Sequence, residues 1–157
     1  MKSDQANEHP SVTGTPATEG VTTIRVRYCE CDPMGVVHHA SYVPWFEEAR
    51  TELLRDCGVS YAQLEREGVF LVVTKLDMRY RRPGRYDDVL EITTRVEGGS
   101  RVKITHHYEA RVVSPGDGDA SRMDGRAIVI GSTEIACVGA DGRVRELPAW
   151  LVPAKDR

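Results

Sequence analysis

The sequence predicts an α+β domain in which one long helix lies across a single curved, mainly antiparallel β-sheet. Three observations carry the prediction. A helical apolar stripe of about four turns occurs once, early in the chain. Four long stretches of strand-like, period-two alternation follow it. The links between those stretches are turns rich in Pro, Gly and Asp.

Residues 1–22 are rich in Ser, Thr, Pro, Gly and acidic side chains and have almost no large apolar groups. Such a segment buries too little to offset its ordering entropy, so it is expected to be a disordered tail whose removal leaves the domain unchanged. The domain is expected over residues 23–152, with 153–157 as a C-terminal tail. Residues 24–30 set Ile24, Val26 and Tyr28 against Arg25, Arg27 and Cys29, which predicts the first strand. Over residues 41–57, Tyr42, Phe46, Ala49, Leu53 and Cys57 recur every three or four positions, with Val43 and Leu54 widening the stripe. Pro44 is tolerated only in a first turn and fixes the helix start just behind His39, while Gly58 ends it. Ser60 followed by Gln63 resembles a capping box for a short second helix reaching Gly68.

Strands follow. Over residues 69–81, Leu76, Met78 and Tyr80 alternate with Lys75, Asp77 and Arg79. Residues 89–96 place Leu90, Ile92, Thr94 and Val96 on one face, and residues 102–112 do the same with Val102, Ile104, His106, Tyr108, Ala110 and Val112. His106 and His107 therefore point to opposite faces, one to the core or an interface and the other to solvent. Residues 127–138 are nearly all apolar, and the Ala-Asp-Gly at 140–142 turns the chain into a last short segment.

A chain of 157 residues can bury one core without disulfides or structural metal. A formal net charge of −3, with no strongly basic half, excludes duplex nucleic acid as the main partner. Four irregularly placed cysteines do not make a secreted disulfide framework. No apolar run approaches the roughly 20 residues of a membrane span, and the N-terminus lacks a signal-peptide core, so a cytoplasmic location is expected.

The most informative segment is residues 28–42, Tyr-Cys-Glu-Cys-Asp-Pro-Met-Gly-Val-Val-His-His-Ala-Ser-Tyr. A strand-like run ends at Asp32, Gly35 turns the chain, and His38 and His39 stand at the mouth of the long helix. A carboxylate facing the positive end of a helix is a plausible hydrolytic pair, because free helix N–H groups can hold a developing oxyanion. By itself Asp32 also suits an Asp-Pro turn whose carboxylate caps local amides, and His39 suits a plain helix start. Cys29, Cys31, Asp32, His38 and His39 are all potential metal ligands, but Cys-x-Cys is tighter than zinc usually takes and no second pair lies downstream, so no metal is expected.

The pattern Tyr-x-x-x-Asp-x-x-Gly-Val-Val-x-His-Ala-x-Tyr, followed by an acidic and basic helix, resembles the hotdog-fold acyl-CoA thioesterases, in the 4-hydroxybenzoyl-CoA thioesterase-like group that includes the Tol-Pal-associated enzymes. Residues 80–92, Tyr-Arg-Arg-Pro-Gly-Arg-Tyr-Asp-Asp-Val-Leu-Glu-Ile, are similar to that family's aromatic, proline and Asp-Asp approach to a strand. Two positions depart: Cys31 stands where a Thr commonly precedes the Asp, and His38 where a Tyr is common.

The resemblance implies a hotdog fold that hydrolyses an acyl-coenzyme A without a cofactor. Asp32 is then the catalytic carboxylate, as general base or as nucleophile. The backbone N–H near His39 polarises the carbonyl, the His39 side chain orients the carbonyl or the water, and Tyr28 stands nearby as a hydrogen-bonding wall. The cluster Arg79, Arg81, Arg82 and Arg85 is suited to the coenzyme phosphates, with Arg81, Arg82 and Arg85 as the expected substrate contacts; a solvated strand face is the plain alternative. A homodimer or a dimer of dimers with its site at the subunit boundary is implied. The alternative is a non-catalytic hotdog module that binds acyl-CoA or a lipid.

Overall fold

The computed structural model describes residues 17–153. Seven principal elements follow one another: β1 Glu19–Arg25, α1 Tyr42–Asp56, α2 Tyr61–Arg66, β2 Phe70–Tyr80, β3 Val89–Gly99, β4 Lys103–Ser114 and β5 Val129–Val138. The five strands form one sheet in the order β1-β3-β4-β5-β2, every neighbouring pair antiparallel. The α+β, hotdog architecture expected of the sequence is present: α1 lies against the sheet, and β1 and β2 are its two edges.

The helix forms where its stripe dictates. Tyr42, Phe46, Ala49 and Leu53 are all buried, and Leu54 joins them. The expected widening at Val43 does not occur. Val43 is exposed and Trp45 is buried in its place, because the indole N–H finds a carboxylate partner, Glu30. Ser60 caps α2, its hydroxyl accepting the Gln63 N–H at 3.3 Å.

Alternation sets the inner sheet face. Leu90, Ile92 and Thr94 of β3 and Ile104, His106, Tyr108, Ala110 and Val112 of β4 are buried. His107, one residue from buried His106, faces outward beside Glu97 and Glu109. Edge strand β2 differs: Val72, Val73, Leu76 and Tyr80 remain exposed in the single chain.

The expected first strand is displaced. The paired segment is Glu19–Arg25, matched with β3 from Glu19↔Arg95 to Arg25↔Val89. Residues Tyr28–Glu30 form a 3-10 turn instead, since the Arg27 N–H donates to the Glu30 carboxylate at 2.7 Å rather than to a neighbouring strand. Ile24 and Val26 are buried as the alternation requires, but Tyr28 is exposed and Glu30 is buried. The tail expected through Thr22 is corrected at its end, because Glu19 to Thr22 are ladder residues held by backbone bonds that side-chain polarity does not reveal. Residues 1–16 and 154–157 lie outside the described residues. Among the described residues no helix is long and apolar enough to cross a membrane.

Candidate active site

Residues 30–39 fold back on themselves as a short hairpin. His38 N–H donates to Glu30 C=O at 2.8 Å, Cys31 bridges Val37, and Asp32 N–H donates to Val36 C=O at 2.9 Å. Asp32 thus sits at the tip, and the returning arm leads directly into the 3-10 turn His39–Ser41 and then α1. Gly35 takes the left-handed backbone, φ 78°, that closes the tip. The hairpin is tied to the second motif, where Val37 N–H donates to Gly84 C=O at 2.9 Å. Gly84 must lack a side chain, since a Cβ would come within 2.9 Å of the Tyr42 hydroxyl. Burial pushes the Tyr42 phenol pKa up, against a backbone hydrogen bond with Gly84, so it stays protonated.

Asp32 is half-buried, and its Oδ1 accepts the Met34 N–H at 2.8 Å, an Asx turn that orients the carboxylate. Its Oδ2 has no hydrogen-bond partner among the described residues. At the helix mouth the first N–H groups divide unequally. Ala40 N–H is capped by His38 Nδ1 at 3.2 Å, and Ser41 N–H by His38 C=O at 2.9 Å. The His39 N–H has no acceptor among the described residues, which leaves it as the open donor at the positive end of the helix.

The remaining expected residues are dispersed to differing degrees. The exposed His39 ring lies against His38 at 4.1 Å between centroids and edge-on to Tyr80 at 6.4 Å, while the Tyr80 hydroxyl donates to His39 C=O at 2.9 Å. Tyr28 is 80% exposed and packs edge-on against Tyr86. Its hydroxyl has no hydrogen-bond partner among the described residues. Arg82 forks onto Asp124 at 2.8 and 2.9 Å, and Arg85 pairs with Asp117. Arg81 makes no side-chain ion pair among the described residues. Cys31 is held as a thiol, since burial first, then Glu30 and Asp32, pushes its pKa up.

Two buried carboxylates brace the site, and neither was singled out as a functional residue from the sequence. Glu30 accepts from the Arg27 guanidinium and N–H and from the Trp45 indole at 3.0 Å. Burial alone would raise its pKa; those hydrogen bonds outweigh it and the net shift is downward. Asp88 is fully buried and accepts from Arg85 N–H, Gly116 N–H and the Arg122 guanidinium, which fastens the loop of residues 115–125 to the start of β3. The signal for Glu30 is its spacing of three from Arg27, at which its carboxylate reaches back to accept the Arg27 N–H; the side chain looks solvated until Trp45 is placed. Among the described residues no three His, Cys, Asp or Glu side chains converge as a metal cage.

A model of the thioesterase-like superfamily matches residues 26–154. The putative acyl-CoA thioesterase YneP of Bacillus subtilis is 36% identical over 85 residues, 54% of this chain and 62% of that protein. The acyl-CoA thioester hydrolase YbgC of Escherichia coli O157:H7 is 48% identical over 73 residues, 46% of this chain and 54% of that one. The matched part thus spans under two-thirds of the length of these curated relatives. A solved DHNA-CoA thioesterase from Staphylococcus aureus superposes with a TM-score of 0.71 at 32% identity, covering 82% of this chain and 80% of that chain.

Proposed function

The chain belongs to the thioesterase-like superfamily, and from that premise we propose that it hydrolyses the thioester of an acyl-coenzyme A without a cofactor. One observation carries the reading. A single hairpin delivers both a carboxylate oxygen, Asp32 Oδ2, and a helix-start donor, the His39 N–H, each lacking a partner among the described residues.

In this mechanism the thioester carbonyl oxygen rests on the His39 N–H. Asp32 takes a proton from water as the water oxygen bonds to the carbonyl carbon. Negative charge collects on the carbonyl oxygen, where the N–H and the helix end stabilise it. The C–S bond then breaks, the thiolate leaves and is protonated, and the acid is released. The other route uses the same atoms: an Asp32 oxygen attacks directly, thiolate leaves, and water opens the resulting mixed anhydride. Oxygen-18 found in Asp32 after a single turnover in labelled water marks the second route.

The His39 imidazole is proposed to orient the carbonyl or the water, with the Tyr28 hydroxyl as a nearby wall. Of the three arginines proposed for the coenzyme phosphates, Arg81 is free to bind directly, whereas Arg82 and Arg85 share their forks with Asp124 and Asp117. We propose a homodimer or a dimer of dimers. The open edge of β2, with Val72, Val73 and Leu76 exposed by 41%, 48% and 42%, supports pairing with a second copy that also completes the acyl pocket. Four unbridged cysteines suit the reducing cytoplasm, which we propose as its location.

Turnover of an acyl-CoA panel by the full chain tests the reading. Asp32→Asn is expected to lower the rate by about 10²–10⁴-fold, the size of a lost acid–base group. Unchanged turnover in that variant removes Asp32 from the mechanism. Absence of turnover across the panel, with acyl-CoA still bound, replaces the enzyme with a binding module.

A further inference from the structure

Along residues 38–40, at the mouth of α1, every backbone N–H and C=O but one has a partner. The His38 N–H donates to Glu30 C=O at 2.8 Å, and the His38 C=O accepts the Ser41 N–H at 2.9 Å. The Ala40 N–H donates to His38 Nδ1 at 3.2 Å, and the Ala40 C=O accepts the Tyr42 N–H. The exception is the His39 N–H. These ties are local, closing within residues 30–42. A further tie comes from the sheet: the Tyr80 hydroxyl, at the end of β2, donates to His39 C=O at 2.9 Å. Among the described residues it is the one hydrogen bond that joins residues 38–41 to a strand of the sheet.

Tyr80 is firmly based for that contact. Its backbone lies in the ladder opposite Val129, which is fully buried. Its ring meets His39 edge-on at 6.4 Å and Tyr42 at 5.9 Å, so neighbours on two sides set its direction. The hydroxyl has a single hydrogen. Met78 Sδ is 3.4 Å away, but a thioether is a weak acceptor and the carbonyl takes the hydrogen. Burial pushes the Tyr80 phenol pKa up, which keeps that hydrogen in place at neutral pH.

The His39 peptide needs such a hold. The 3-10 turn His39–Ser41 is a short element of poorer hydrogen-bond geometry than an α-helix. The N–H and C=O of one residue lie in rigid peptide planes that share its Cα, so a fixed carbonyl limits how far the N–H can turn. We propose that Tyr80 is a positioning residue: its hydroxyl holds the His39 peptide against the sheet, so that the His39 N–H keeps the direction in which it receives the developing oxyanion. The inference rests on the thioester hydrolysis proposed above and adds to it a group that acts through His39 rather than on the substrate. A tyrosine that only walled the site would act through its ring, which phenylalanine supplies equally, so the hydroxyl separates the two roles.

Hydrolysis of the acyl-CoA panel, hexanoyl-CoA and benzoyl-CoA included, by the full chain and by Tyr80→Phe tests the proposal, together with ¹⁵N relaxation of the His39 amide. Removing an oxyanion donor outright costs about 10²–10³-fold in rate; a donor kept but loosely aimed costs less, and about tenfold in kcat is expected. KM should stay within about twofold, the pattern of an interaction lost from the transition state alone. The melting temperature should move by less than about 5 °C, since one half-exposed hydroxyl contributes about 1 kcal/mol. The His39 amide order parameter should fall from the rigid range, about 0.85, toward the flexible range. Met78→Leu conserves volume and leaves the hydroxyl–carbonyl bond in place, so it is expected to keep the native kcat.

A native kcat in Tyr80→Phe, a raised KM with kcat unchanged, or an equal loss of kcat in Met78→Leu each overturns the proposal. An unchanged His39 order parameter in Tyr80→Phe overturns it whatever the rates. If the native chain hydrolyses no member of the panel, the proposed activity falls, and a lowered order parameter in Tyr80→Phe still leaves the hold on His39 standing.

Discussion

Gly131 of β5 lies directly under Phe46 of α1: a Cβ at position 131 would stand 2.5 Å from Phe46 Cε2. Gly131 is paired across the sheet with Tyr108 on one side and Met78 on the other, and the Phe46 ring stacks on Tyr108 at an interplanar angle of 4°. The helix sits as close to the sheet as it does because that one position carries no side chain.

Gly131→Ala is therefore expected to destabilise the fold by about 1–3 kcal/mol, the usual cost of overpacking a filled core. The Asp77 carbonyl 3.2 Å from the same Cβ leaves little room for relief by backbone movement. Urea unfolding decides the matter. An unchanged midpoint would mean that Phe46 tilts away freely.

Glu30→Ala is expected to cost about 1–3 kcal/mol, because the Trp45 indole and the Arg27 N–H lose their acceptor. The folded pKa of Glu30 lies below its unfolded value of 4.5. Its contribution is thus complete above pH 4.5 and disappears as pH falls through the lowered folded value. Unfolding free energies measured from pH 6 to pH 3 should show that the native chain loses more than the variant below pH 4.5.

His106 titrates in a different window and with its own sign. Its folded pKa, near 4, lies below the unfolded 6.5, so the unfolded chain binds the proton more readily. Stability is full above pH 6.5 and falls as pH drops toward 4, by roughly 3 kcal/mol at the lower end. Replacing His106 by Leu should flatten the stability profile between pH 6.5 and 4.5. A profile equally steep in the variant would assign that loss to other groups.

Deletion of residues 1–22 is expected to lower the melting temperature by more than about 5 °C, more than 1 kcal/mol for a domain of this size. It removes four β1 residues, the Glu19 to Arg95 ion pair at 2.9 Å, and the Thr18 carbonyl that accepts the Val96 N–H at 2.7 Å. Deletion ending at Pro16 removes none of these. Equal melting points for the two truncations would show that this end of β1 contributes nothing.

The legible parts were those encoded within a few residues. The stripe of Tyr42, Phe46, Ala49 and Leu53 faces the core because helical spacing alone puts them on one side. Ile104, His106, Tyr108 and Ala110 share a face because strand spacing allows nothing else. The Asp32 tip was readable for the same reason: carboxylate, turn glycine and helix start are neighbours in the chain, and the hairpin joining them closes within residues 30–39.

Polarity misled where a distant partner reversed its usual meaning. Glu19 to Thr22 look like tail, yet their backbone bonds to β3 place them in the sheet; Glu30 looks solvated until Trp45 and Arg27 surround it. Arg82 and Arg85 look free for phosphates until the loop of residues 115–125 brings Asp124 and Asp117 against them. A cavity of about 80 Å³ beside Arg50 and His106 has no sequence signature, because its walls come from a helix, two strands, residues 17–18 and residues 150–153. The sequence by itself determined the periodic faces, the helix start and the turn at Gly35 that follows Asp32, since local sterics and spacing decide those. Only the tertiary structure decided which charges are buried, which are paired and where space remains, since desolvation and pairing depend on groups far apart in the chain.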